Sequence, residues 1–247
     1  MSLTEKNIRE RDFHNKLQSS SKGRFENVFY KAIYNSGEDF LNFLKNNTKD
    51  LTILDYGCGI GHSLKKVYKF NPKKISGIDI SEVSIEKAKK LVAEEDLNIE
   101  LSVDDCENTR FKNETFDIVY GTGILHHLNM QLCINEIYRI LKPGGQFVFI
   151  EPLGTNPLIN FYRKLTPNSR SEDEHPLNNQ DLNLINKQFS NMNIKYYGFL
   201  TLIFFPLYYS PKTSIIFKIL KEIDQFLFKI NIFKKLAWSV LIVAKKN

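Results

Sequence analysis

The chain has 247 residues, 42% hydrophobic and 25% charged, enough length to bury a core without metals or disulfide staples. Three separated cysteines, Cys58, Cys106 and Cys133, exclude a disulfide framework and any CxxC zinc or redox site. No apolar run reaches the ~18 residues of a membrane span, and the opening MSLTEKNIRERDFHNK is charged throughout, so a cytoplasmic address is expected. The net charge of +6 is uneven: from Lys195 onward nine lysines face only Glu222 and Asp224, a balance of +7, and the first 194 residues balance at −1. That asymmetry permits an anionic partner. Lys, Asn, Ile and Phe are also abundant along the whole chain, which gives the plainer reading of a biased base composition.

Residues 1–50 read as a polar helical cover, with Phe25, Val28, Phe29, Ile33, Phe40, Leu41 and Leu44 at roughly helical spacing and a break expected at Ser36-Gly37. From residue 51 the period changes. LTILDYG is a first strand, HSLKKVYKF a helix and KISGIDIS a second strand. EVSIEKAKKLVAEE is a helix with Ser81 as N-cap. IELSVDD and FDIVYGTG are the third and fourth strands, and MQLCINEIYRIL is a helix. Lys142-Pro143-Gly144-Gly145 is a turn before a fifth strand, QFVFIEP. Alternating strands and helices of these lengths predict βαβ units and a mostly parallel sheet. Residues 153–194, rich in proline and cap residues, read as a lid of loop and short helices. NIKYYGFLTLIFF is then expected as a strand, SIIFKILKEIDQFLFKINIF as one long amphipathic segment, and WSVLIVAKKN as the last strand.

The most informative stretch is Leu54-Asp55-Tyr56-Gly57-Cys58-Gly59-Ile60-Gly61. Alternate glycines directly after a buried strand let the backbone turn sharply and approach a ligand. Asp79 ends the second strand 22 residues after Gly57, where a carboxylate can accept bonds from both ribose hydroxyls of an adenosyl group. Two details disfavour NAD: the spacing is GxGxG, and Asp55 sits just before the first glycine, where its charge repels a pyrophosphate but receives an ammonium. No GxxxxGK[ST] loop is present, which disfavours phosphoryl transfer.

LDYGCGIG, GIDIS, SVDDCEN, FDIVYGTGILHHL and RILKPGGQFVFIEP, in this order and spacing, resemble class I S-adenosylmethionine-dependent methyltransferases over about residues 51–152. The resemblance implies a Rossmann-like, doubly wound α/β sheet of seven strands in the order 3-2-1-4-5-7-6, the last strand antiparallel. One domain is expected: cover 1–50, cofactor-binding core 51–152, lid or acceptor insert 153–194, and C-terminal strands with an amphipathic helix over 195–247. The resemblance places Gly57, Gly59 and Gly61 along the methionine part of the cofactor and Asp55 near its amino group. It places Asp79 at the ribose, Ile80 against adenine, Asp105 at the adenine amino group with Cys106 beside it, and Gly121 and Thr122 near the methyl donor. The reaction it implies passes the methyl group to a small or lipid-like acceptor and leaves S-adenosylhomocysteine.

Methyl transfer is an in-line displacement that asks the protein to align the nucleophile and exclude water; a hydroxyl acceptor also needs a base. Of five histidines, His126 and His127 follow the fourth strand at the ligand-binding edge of the sheet, and His175 lies among the carboxylates of EDEHP in the insert. These three are the candidate catalytic residues, set against a framework role for His126-His127 and a solvated acidic loop for His175. Arg163 and Arg170 are further candidates for an anionic acceptor, weighed against a surface role. No metal is expected, since the histidine pair has no Hx₃H or HxxE partner nearby in sequence.

Between 215 and 233 twelve residues are apolar, more than one buried stripe requires. They read as ordinary core over the last strands. The excess keeps open an acceptor pocket, a peripheral membrane helix with lysines at headgroup level, or a homodimer interface. Nucleic acid is not expected as a partner, because the (N/D)PP(Y/F) motif and any RNA-binding module are absent. The rival class is a non-catalytic cofactor-binding or partner subunit with the same fold.

Overall fold

The computed structural model describes residues 3–19, 28–166 and 171–247. Phe25, Pro167 and Arg170 lie outside the described residues. Seven strands form one sheet in the order β3-β2-β1-β4-β5-β7-β6: β1 Thr52–Tyr56, β2 Lys74–Asp79, β3 Glu100–Val103, β4 Phe116–Thr122, β5 Leu141–Pro152, β6 Ser190–Tyr197 and β7 Ser239–Lys245. Neighbours from β3 to β5 pair in parallel, and β7 runs antiparallel between β5 and β6, as the resemblance implied.

The central strands are buried on both faces, and their alternation sorts side chains into two cores. Leu54, Tyr56, Val119, Phe147, Phe149, Val240 and Ile242 join one cluster. Ile53, Ile118, Tyr120, Val148 and Leu241 join the other. Helices α5 (Met130–Ile140) and α7 (Asn179–Gln188) cover the first face, and α2 (Tyr34–Asn47), α3 (His62–Tyr68) and α4 (Glu82–Glu94) cover the second. On α5 the residues Met130, Cys133, Ile134, Ile137 and Ile140 follow helical spacing and are all buried.

Four expectations change. α2 runs straight through Ser36-Gly37. Ser36 stands in the first turn and bonds the Ile33 carbonyl at 2.7 Å, so the polar residue supports the helix start instead of ending it. The KPGG turn is held inside β5: Leu141 pairs with Phe116 before it and Gln146 with Ile118 after it, a bulge that the positive φ of Gly144 accommodates. β6 starts at Ser190, and the FLTLIFF stretch leaves the sheet as the short helix α8 (Leu200–Ile203). Its N-terminal amides are captured by Asp224, which is why so apolar a run is not a strand. The long amphipathic segment divides into α9 (Ile215–Leu227) and α10 (Asn231–Lys234). The insert holds α6 (Pro157–Leu165) and α7, each started by an asparagine N-cap. α1 (Glu5–Ser19) lies against α4 at the carboxyl edge of the sheet.

Candidate functional site

A cavity of about 460 Å³ opens at the carboxyl ends of β1, β2, β3 and β4 and is roofed by α1. Gly57, Gly59 and Ile60 from the first loop line it, with Asp79 and Ile80 from β2, Asp105 and Cys106 after β3, and Gly123, Ile124, His127 and Leu128 after β4. The glycine loop is shaped for close approach. Gly59 has φ +53° and a Cβ there would meet only open space, so the backbone presents itself to whatever fills the cavity. At Gly57, φ +74°, a Cβ would lie 2.6 Å from the Ile124 side chain, so only glycine lets the two loops meet.

Asp79 is fixed by two backbone amides: its Oδ2 accepts the Gly59 N–H and its Oδ1 the Ser81 N–H, each at 2.9 Å. Burial pushes its carboxyl up, and the two amides pull it back. Asp105 accepts the Glu107 N–H and, from α1, the Asn7 side-chain amide, both at 2.9 Å. The Cys106 thiol is buried and raised by desolvation, and its carbonyl accepts the Tyr56 hydroxyl. Of the other residues expected at the cofactor, Asp55, Gly61, Gly121 and Thr122 stand outside the cavity lining. Gly121 lies beneath it, where a Cβ would strike the Phe149 ring and the Tyr56 carbonyl. Gly61 begins α3 against Ala88. Asp55 is buried behind the loop, and among the described residues its Oδ2 has no hydrogen-bond partner; desolvation, aided by the nearby Asp79 charge and opposed by the Tyr120 and Ser63 hydroxyls, pushes it up to about 8.

The histidines separate. His126 turns away into the protein, its Nδ1 2.7 Å from Glu151 Oε2, while Glu151 Oε1 accepts the N–H groups of Ile124 and Leu125. A fully buried carboxylate at the end of β5 therefore sets the shape of the loop after β4. His127 faces the cavity. Its Nδ1 is 3.1 Å from Glu10 Oε2 of α1 and 3.5 Å from the Ser171 hydroxyl. Burial raises the Glu10 carboxyl, but the neighbouring His127 ring and the Ser171 hydroxyl, which donates to its Oε1, outweigh it and hold Glu10 below the ordinary value. His175 does not line the cavity: its N–H donates to the His126 carbonyl at 2.8 Å and its half-exposed ring lies 3.6 Å from Asp181. Arg163 donates to the Leu153 carbonyl and Asn160, tying α6 to the end of β5.

Sequence distance hid the partners of the histidine pair. Glu10, His14 and His127 bring three donor atoms within 4.8 Å, as do His126, His127 and Glu174, although none of these partners is close in the chain. Asn7, Glu10 and Ser171 were missed as site residues. The available signal was on α1, where Asn7, Glu10, His14, Leu17 and Gln18 recur at helical spacing and all line the cavity. The insert grips the same helix: Arg9 and Asp173 form a bidentate pair at 2.8 and 2.9 Å.

Residues 53–145 match the family described as a methyltransferase domain. The sterol 24-C-methyltransferase erg6 of Aspergillus fumigatus is 31% identical over 135 residues, 53% of this chain and 36% of that protein. Cycloartenol-C-24-methyltransferase 1 of Oryza sativa is 33% identical over 117 residues, 46% of this chain and 34% of that protein. The chain thus spans about a third of the length of the curated relatives it matches. The crystal structure of geranyl diphosphate C-methyltransferase from Streptomyces coelicolor superposes over 100% of both chains with TM-score 0.68 at 14% identity, a likeness of fold. The ordered motifs and the strand order agree with that match: residues 53–145 are similar to the methyltransferase-domain family and sit on a sheet of the order the resemblance implied.

Proposed function

We propose that this chain transfers a methyl group from S-adenosylmethionine to a small, lipid-like acceptor and releases S-adenosylhomocysteine. The observation that carries the reading is the cavity at the carboxyl edge, lined by an open glycine, an amide-fixed carboxylate on β2 and a second carboxylate after β3. These acceptors fit the ribose hydroxyls and amino group of an adenosyl moiety, and the Asp55 oxygen fits an ammonium reached directly or through water. The similar proteins support the rest. The neighbouring structure is of a complex with S-adenosyl-L-homocysteine, and the relatives and neighbours are named for sterol and geranyl diphosphate acceptors.

S-adenosylmethionine supplies an activated methyl group when bound. In this reading Asp79 holds the ribose, Ile80 packs on adenine, Asp105 and Cys106 meet the adenine edge, and Gly57, Gly59 and Gly61 shape the methionine channel. Gly121 and Thr122 set the floor on which Gly123 borders the donor. α1 roofs the cavity and excludes water. His127, whose Nδ1 faces Glu10, keeps Nε2 as the basic ring nitrogen to orient or deprotonate the acceptor. His126 acts as a positioning residue through Glu151, and His175 through its bond to the His126 carbonyl. A cytoplasmic address is part of the proposal; among the described residues no helix is long and apolar enough to cross a membrane. The C-terminal apolar segment would bring a peripheral surface to the same reaction.

Calorimetric titration with S-adenosylmethionine and S-adenosylhomocysteine, with NAD as control, tests the reading. Both adenosyl ligands are expected to bind, and Asp79→Ala to weaken them by ten- to a hundredfold, roughly the loss of one or two charged hydrogen bonds. Binding of NAD alone, or unchanged affinity in the variant, would overturn it.

A further inference from the structure

Helix α9 is apolar on two faces, and one of them is uncovered. Phe217, Asp224 and Phe228 are buried, with Asp224 holding the start of α8. The opposite stripe, Ile215, Ile216, Ile219, Ile223 and Phe226, is exposed along the whole helix, Ile215 to 72% and Phe226 to 64%. This is where the expectation of ordinary core fails. The surface continues onto neighbouring elements: Leu207 and Tyr209 after α8 are 60% and 90% exposed, and α6 adds Phe161 and Leu165. The elements that carry these residues pack together: Phe29 meets both Tyr162 of α6 and Phe205 next to α8 edge to face, and α8 packs on α9. A water-facing surface rarely leaves so many large apolar side chains on neighbouring elements without an occupant.

Charge selects the occupant. Lys218 and Lys229 are exposed on the flank of the α9 stripe and Lys212 and Lys235 at its two ends, against one exposed acid of α9, Glu222, so the face is cationic on balance. Alkyl groups in a stripe with ammonium groups beside it match a helix lying at the surface of an anionic bilayer. A second copy of the same face would instead set like charges against each other. We propose that α6, residues 203–209, α9 and α10 form a monotopic contact with an anionic lipid bilayer, and that the acceptor is drawn from it. The sheet supplies the geometry: Pro152 at the end of β5 and Tyr197 at the end of β6 both pair with Ser239, so α6 and α8 leave the sheet at the edge on which the cavity opens. The second half of the proposal rests on the methyl-transfer reading, and the membrane contact does not.

Flotation of the full chain with phosphatidylcholine vesicles, with and without phosphatidylglycerol, is the test. The chain is expected to float with the anionic vesicles, and high salt or pure phosphatidylcholine to weaken it. Ile219→Asp with Phe226→Asp is expected to cut partition by about tenfold or more, the loss of two inserted side chains. Lys218→Glu with Lys229→Glu should do so by about tenfold as well. S-adenosylhomocysteine affinity should stay unchanged in both, which reports an intact fold. No flotation with either vesicle would overturn the proposal. So would a dimer by light scattering that the Asp variants dissolve, which assigns the face to a second copy. Flotation with failed cofactor titration would overturn the methyl-transfer reading and leave the membrane contact standing.

Discussion

Asp55 is the residue whose electrostatics most depend on what the cavity holds. Its buried carboxyl is pushed up from 3.8 to about 8, so near pH 7 the free protein keeps it largely protonated. An unfolded chain ionises it near 3.8, so folding takes up a proton at neutral pH. The stability it contributes is whole below about 3.8 and is lost as pH rises through about 8. Asp55→Asn should therefore raise the melting temperature of the free protein at pH 8 more than at pH 5. An arriving ammonium favours the ionised form, so S-adenosylhomocysteine binding at pH 7 should release protons. Calorimetry in buffers of different ionisation enthalpy should show that release in the wild type and none in Asp55→Asn; equal proton release in both would remove Asp55 from the site. His127 and Glu10 make the second residue-scale prediction. If the pair serves the acceptor, His127→Ala should lower turnover by about a hundredfold or more and leave cofactor affinity within a few-fold. Glu10→Gln added to it should cost little more, because the two act as a unit; additive losses would separate them. Local motif reading found His127 because the HH pair follows a strand at the binding edge. It could not find Glu10, whose 117-residue separation from His127 is closed only by the packing of α1.

Elements were legible where a single physical signal ruled them. The strands β1, β2, β4 and the second half of β5 are short apolar runs bounded by turn residues, and Ser81 caps α4 by accepting the Ser84 N–H as its position predicts. Legibility failed where tertiary contacts overrode local pattern. FLTLIFF has strand composition, but Asp224, more than twenty residues later, takes the amides of Phe199, Leu200 and Thr201 and turns the run into a helix start. α1 is the opposite case, a polar helix with no apolar stripe to bury, in whose attachment side-chain bonds to the rest of the chain take a large part. Asn15 accepts from Ser81 at 2.6 Å and donates to Glu82 at 3.0 Å, and Arg9 clasps Asp173. Exposed ion pairs contribute little singly, roughly 0–1 kcal/mol. Arg9→Ala with Asn15→Ala should therefore leave the melting temperature nearly unchanged while speeding S-adenosylhomocysteine dissociation by roughly three- to tenfold, measured by stopped flow. An unchanged dissociation rate would mean that α1 does not gate the cavity.

At the scale of the whole molecule the cavity and the exposed apolar face fall on different halves of the sheet. The order 3-2-1-4 puts the cavity at one side of the carboxyl edge, and 5-7-6 puts the apolar face at the other, on helices that hang from β5 and β6. The strand order was legible only through the family resemblance that the ordered motifs carry; the residues themselves gave β1 to β5 and β7 as strands and not their neighbours. The division between the halves was not legible, because burial of α9 depends on how far α8 and α10 reach across it. If each half does its own work, two ligands should leave separate footprints in hydrogen exchange. S-adenosylhomocysteine should slow exchange in α1, the loops at 57–61 and 104–107, the start of α4 and the turn at 123–128. Anionic vesicles should slow it in α6, residues 203–209, α9 and α10 and leave the first set alone. The two maps should meet only at the end of β5, where Glu151 fixes the loop bearing His127 while Pro152 leads into α6. Protection of α9 by the nucleoside ligand, with vesicles absent, would show instead that the apolar helix closes over the cavity, and the acceptor would then be enclosed by the protein and not offered by the bilayer.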